Sequence, residues 1–214
     1  MIPQAILFDM DGTIADSEPL WFAGEAELMA QFDFDWKHEN QSKVLGGPIE
    51  RVGKYMSELA NGANTPEFFS KSLIAIVSSS FEEKLALLPG AREILQGAKA
   101  LGIPIALVSA SPRPLVEACD RFLGGNFFDA LISCDDVTTT KPDPECYLKA
   151  AEVLGVSITD CLVLEDSQPG VTSGKMSGAK VIAIPHLVNI VADDQVKVIK
   201  TLAGLKVTDL FNLH

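Results

Sequence analysis

Five short apolar runs, each ending at a residue that can turn the chain or do chemistry, constrain this fold more than any other feature of the sequence. AILF at 5–8 stops at Asp9, IALV at 105–108 at Ser109, ALISC at 130–134 at Asp135, CLVL at 161–164 at Glu165, and KVIAI at 180–184 at Pro185. Each is too short for a helix. A run that is apolar at every position, rather than at every second one, suits a strand covered on both faces. Helical patterns fill the gaps at about 91–101, 113–122, 144–154 and 169–177, the last two followed by Gly155 and Gly178 as stop signals. Strand alternating with helix predicts an α/β fold with a doubly wound parallel sheet.

One segment breaks the alternation. Between Asp16 and Leu88 there is no strand run, only amphipathic stretches such as PLWFAGEAELMAQF, IERVGKYMSELA and PEFFSKSLIAIVSSSFEEKLALL. We therefore expect an α-helical insert at 16–88, set into a core domain made of 1–15 and 89–214. The 214 residues, 47% hydrophobic and 21% charged, allow a sizeable core of this kind. A net charge of −12 argues against nucleic acid and anionic membranes as partners, because both would repel the chain. No apolar run approaches the roughly 18 residues needed to span a bilayer, and MIPQAILFD lacks the basic region of a leader, so the expected location is cytoplasmic. Cys119, Cys134, Cys146 and Cys161 include no CxxC pair and are expected to be reduced.

In open parallel sheets the ligand lies beyond the carboxyl ends of the strands, so the residues that follow the apolar runs matter most. Asp9 and Asp11 follow the first run, Ser109 the second, Lys141 lies a little beyond the third, and Glu165 with Asp166 follow the fourth. Four carboxylates in one crevice repel one another and force some to protonate unless cations separate them. A metal ion together with Lys141 supplies those charges. All-oxygen ligands, with no His or Cys in the set, select a hard cation, and Mg²⁺ is the expected one.

Asp9-Met10-Asp11-Gly12-Thr13, Ser109, Lys141-Pro142 and Glu165-Asp166-Ser167 resemble, in order and spacing, the four motifs of the haloacid dehalogenase-like hydrolase superfamily. The resemblance covers nearly the whole chain, helical cap included, and points to the branch containing β-phosphoglucomutase and small sugar phosphatases. It implies a Rossmann-like core and a Mg²⁺-dependent phosphatase, hydrolysing a small phosphorylated metabolite such as a sugar phosphate through an aspartyl-phosphate. In this pattern Asp9 is the nucleophile and Asp11 the acid and base. Asp9, the Asp11 carbonyl and Asp166 hold the metal, and Glu165 either ligates it directly or holds one of its waters. Ser109 and the Ala110 amide, at the start of the next helix, bind phosphoryl oxygens, and Lys141 adds positive charge.

Two rivals remain open: a phosphomutase of the β-phosphoglucomutase type, and a module that binds phosphometabolites without turning them over. Where the mutase pattern has a His, this chain has Trp21, which either faces substrate or packs in the cap. Phe22 is expected in the core, and Thr13 either contacts the nucleophile or phosphate or caps its own turn. Gly46-Gly47-Pro48 is either a substrate loop or a tight turn. Arg51 either binds an anion or pairs with Glu50 or Glu58, and Arg113 either reaches substrate or is a solvated helix-face residue. His38 and His186 are expected at the surface or in packing, His214 at a mobile end. Oligomeric state is not legible here.

Overall fold

A computed structural model describes residues 2–44, 47–185 and 190–213; His186, His214 and Gly46 lie outside that set. The apolar runs form β1 (Ala5–Phe8), β4 (Ile105–Val108), β5 (Ala130–Ile132), β6 (Cys161–Glu165) and β7 (Lys180–Ala183). Together with β8 (Val196–Val198) they make a six-stranded sheet in the order β5-β4-β1-β6-β7-β8, parallel throughout. This is the doubly wound, Rossmann-like architecture expected from the alternation. Both faces are covered, as the unbroken apolar runs require. Ala5, Leu7, Val108, Val163 and Val181 share one buried cluster with Tyr147, Ala150 and Val171 of the helices α7 (Glu145–Leu154) and α8 (Gln168–Ser177). Ile6, Phe8, Leu107 and Leu164, one residue out of phase, are buried as well.

The ALISC run is shorter as a strand than as a sequence pattern. Ser133 and Asp136 form a reciprocal capping box, which turns Cys134–Asp136 into a 3₁₀ turn instead of prolonging β5. Helices α5 (Ala91–Ala100) and α6 (Arg113–Phe122) fill the expected places, and α7 and α8 close at Gly155 and Gly178. A short α9 (Val207–Phe211) has no counterpart in the sequence reading.

The chain divides into two compact units, residues 1–16 with 86–214, and residues 17–85. The borders fall at 16/17 and 85/86 rather than at 15/16 and 88/89. The reason is a ribbon: β2 (Ala15–Asp16) pairs antiparallel with β3 (Ala86–Leu87), so both strands stay with the sheet-bearing unit. The second unit is all helix: α1 (Glu18–Ala30), α2 (His38–Val44), α3 (Ile49–Leu59) and α4 (Pro66–Lys84). Thr65 caps α4 by accepting from the Phe68 amide, and Ser78-Ser79-Ser80 lies inside that helix. Leu28, Met29, Met56, Phe69, Leu73, Val77 and Phe81 are among its buried side chains. Among the described residues no helix is long and apolar enough to cross a membrane. The cysteines form no disulfide, and Cys119, Cys146 and Cys161 are buried.

Candidate active site

Strand β1 sits between β4 and β6, and from β1 the chain winds outward first through β4 and β5, then through β6, β7 and β8. Such a reversal opens a crevice at the carboxyl ends of the strands, where neighbouring loops part to opposite sides of the sheet. Asp9 follows β1, Ser109 follows β4, and Glu165 is the last residue of β6 with Asp166 next to it. The backbone places these side chains together because strands in register end together.

Lys141 joins the group from the loop before α7. Its Nζ donates to Asp9 Oδ1 at 2.6 Å, to Glu165 Oε1 at 2.7 Å and to the Val108 carbonyl at 3.0 Å. An ammonium has three N–H groups, so all of them are committed, and its charge rests on Asp9 and Glu165. The other oxygen of Asp9 accepts from Thr13 Oγ1 at 2.8 Å, so Thr13 contacts the Asp9 carboxylate. Glu165 is fully buried. Its Oε1 also accepts from Tyr147 Oη at 2.9 Å, and its Oε2 from the amides of Asp166 and Ser167 and from Ser167 Oγ.

Asp9, Glu165 and Asp166 each bring a carboxylate oxygen within 4.8 Å of the others. Burial, the Glu165 charge and the Asp166 charge hold the Asp9 carboxyl well above the usual range, against the opposing pull of Lys141. Burial and the Glu165 charge push Asp166 up to about 7. Burial disfavours the Lys141 ammonium, but the adjoining Asp9 and Glu165 charges more than reverse that, so it stays protonated. The protein's own charges therefore leave this cluster short of positive charge. A hard divalent cation among carboxylate oxygens would supply it, so the donor set fits Mg²⁺. Gly12, at φ +80°, allows the close approach this needs, since a Cβ there would overlap the Asp166 carboxylate.

Asp11 stands beside a pair of serines. Its Oδ2 accepts from Ser111 Oγ at 2.8 Å and from Ser109 Oγ at 3.3 Å, while Ser109 Oγ itself accepts from the Ser111 amide. Ala110 is exposed and belongs to the loop, not to the helix. Helix α6 begins at Arg113 after Pro112, whose missing N–H and extended backbone mark the boundary. Arg113 is no solvated helix-face residue: its guanidinium donates to the Leu131 carbonyl and pairs with Asp136, while its amide donates to Asp135. That network ties the serine loop to the turn after β5.

The remaining expectations fall in the helical unit. Trp21 and Phe22 on α1 are both half-buried, and Phe22 stacks on His38 with centroids 4.1 Å apart rather than sitting in the core. Arg51 donates to the Lys43 carbonyl at the end of α2 instead of pairing with a glutamate, because those carbonyls lack helical partners. Tyr147 and Ser111 were missed by sequence reasoning. A tyrosine six residues after Lys141, in a helix pattern that otherwise needs only apolar side chains, was the available signal for the first.

The sequence pattern of haloacid dehalogenase-like hydrolases matches residues 6–184. Hexitol phosphatase B of Escherichia coli (strain K12) is 37% identical over 185 residues, covering 85% of this chain and 83% of that protein. A phosphorylated carbohydrates phosphatase of Thermotoga maritima is 32% identical over 188 residues, with 87% of each chain covered. The crystal structure of CbbY from Rhodobacter sphaeroides in complex with phosphate superposes with a TM-score of 0.80 at 26% identity, over 94% of this chain and 96% of that one.

Proposed function

The chain belongs to the haloacid dehalogenase-like hydrolase family and is a phosphoric monoester hydrolase, and from that premise we propose that it hydrolyses a phosphorylated sugar or sugar alcohol through an aspartyl-phosphate on Asp9. The observation that carries the reading is Lys141 donating to both Asp9 and Glu165 beside Asp166, at the strand ends where Asp11 also stands. The names of the relatives at 37% and 32% identity support the substrate class.

Asp9 attacks phosphorus. A P–O bond forms to its carboxylate as the ester P–O bond breaks, and the leaving alkoxide takes the proton of Asp11. Water then gives its proton to Asp11 and attacks the same phosphorus, freeing inorganic phosphate and restoring the Asp9 carboxylate. Lys141 holds Asp9 in place and lowers the charge that an incoming phosphate dianion meets. Ser109, with the Ala110 amide, receives the phosphoryl oxygens. A hydroxyl has one proton, so Ser109 must release Asp11 to do so. Asp9, the Asp11 carbonyl and Asp166 would hold Mg²⁺, which supplies Lewis-acid charge at the phosphoryl oxygens.

The test is a panel of hexose, pentose and hexitol phosphates assayed for phosphate release with and without Mg²⁺. Release from at least one sugar or hexitol phosphate is expected. Activity confined to nucleotides or phosphoproteins would overturn the substrate class.

A further inference from the structure

Tyr147 is a buried titratable side chain that the reaction scheme leaves unused. It is fully inaccessible, on the first turns of α7, and α7 packs on β5, β4 and β1, the strands that lead to the serine loop and to Asp9. Its hydroxyl donates to Glu165 Oε1 at 2.9 Å, the same oxygen that accepts from Lys141 at 2.7 Å. Its ring lies under the ammonium, with Lys141 Nζ 5.0 Å from the centroid, a distance at which the ring face attracts a cation. Tyr147 thus touches both members of the Lys141–Glu165 pair, one through its edge and one through its face.

The count of donors on Glu165 gives that contact its consequence. A carboxylate offers about four lone-pair sites. Glu165 accepts from Lys141, Tyr147, the Asp166 amide, the Ser167 amide and Ser167 Oγ, and it is completely buried among them. No lone pair is left for a cation. Moving Glu165 toward a metal would take the acceptor from the Tyr147 hydroxyl, a fully buried donor, at the cost of desolvation. Gly170 on α8 closes the other side, since a Cβ there would overlap the Glu165 carboxyl.

We infer that Tyr147 is a positioning residue: it commits Glu165 to Lys141, which keeps the ammonium on Asp9 and keeps Glu165 out of the metal's coordination shell. This rests on the phosphatase reading above. It assigns the metal to Asp9, Asp166 and the Asp11 carbonyl, and it gives Glu165 a purely orienting duty.

The experiment is a double-mutant cycle on the Mg²⁺-loaded enzyme, with Tyr147→Phe and Glu165→Gln. Phenylalanine keeps the ring and loses only the hydroxyl. Because one hydrogen bond to a charged group is lost, kcat should fall about tenfold while KM stays within about twofold. If Tyr147 acts through Glu165, the double variant should be no slower than Glu165→Gln alone. Losses that multiply, or a Tyr147→Phe enzyme with wild-type kcat, would overturn the inference. A crystal structure of the wild-type enzyme with Mg²⁺ needs no variant to fold: Glu165 should remain on Tyr147 and Lys141, and Glu165 found among the metal's ligands would refute it. If the wild-type enzyme released no phosphate from any ester, the phosphatase reading would fall, an outcome separate from either arm.

Discussion

Asp9 and Asp11 lie two positions apart and have quite different neighbours, and that difference sets their chemistry. Asp9 is buried, held by Lys141 on one oxygen and Thr13 on the other, which suits the nucleophile proposed above. Asp11 is only half-buried and receives two serine hydroxyls, contacts an incoming phosphate can displace. If Asp11 donates the proton to the leaving group, Asp11→Asn should lower kcat/KM for an alkyl phosphate by about 10²-fold or more. For 4-nitrophenyl phosphate, whose leaving group needs no proton, the loss should be far smaller. Equal losses on the two substrates would mean that Asp11 serves geometry instead. The proposed metal site makes a second demand on single residues. Excess EDTA should abolish phosphate release and Mg²⁺ restore it, and Asp166→Ala should raise the Mg²⁺ concentration for half-maximal rate by about tenfold or more. Full turnover in EDTA, with metal shown absent by elemental analysis, would sink the metal's role.

At the scale of elements, α8 and α1 each carry a packing detail with a measurable consequence. In α8 the first turn passes so close to the buried Glu165 carboxyl that only glycine fits at 170. On helix propensity alone, Gly170→Ala would stabilise by about 1 kcal/mol. Overlap with a carboxylate held by five donors should instead destabilise by roughly 2–4 kcal/mol, a fall of about 10 °C in melting temperature. A stabilised Gly170→Ala protein would contradict the packing described here. In α1, Glu25 is buried with Trp36 Nε1 as donor at 3.0 Å, and burial pushes its carboxyl up from 4.5 to about 7. The folded protein therefore holds this proton more tightly than the unfolded chain. Its stabilising contribution is complete below pH 4.5 and lost as pH rises toward 7, by up to about 3 kcal/mol. Glu25→Gln should consequently raise the melting temperature at pH 8 and leave it nearly unchanged at pH 4.5. Identical shifts at the two pH values would mean that Glu25 is not the group responsible.

For the whole molecule, hydrolase and mutase differ in where a phosphoryl group carried on Asp9 would go. A mutase must hand it to a second sugar and exclude water, and its pattern places a His where this chain has Trp21. Indole has no basic nitrogen to relay a proton, and Arg51 in the helical unit is committed to the Lys43 carbonyl. Water should therefore win: with a hexose 1-phosphate and a trace of the bisphosphate, NMR should show free phosphate forming faster than isomer. The reverse order would favour the mutase. Much of this was open to sequence reading, because unbroken apolar runs too short for a helix suit doubly covered strands, and residues that end such strands gather at one edge of a parallel sheet. That argument reaches Asp9, Asp11, Ser109, Glu165 and Asp166. It does not reach the short β8, the β2–β3 ribbon or α2, whose few residues carry too little periodicity to register. Nor does it reach the partners of Lys141. The sequence by itself determined which chemical groups the strand ends would present, since that depends on local pattern and order along the chain. Only the tertiary structure decided that Glu165 faces Lys141 and Tyr147, that Arg113 braces a turn and that Phe22 lies on His38. Those pairings join residues distant in sequence, and hydrogen-bond geometry and the exclusion of water select them after the elements have packed.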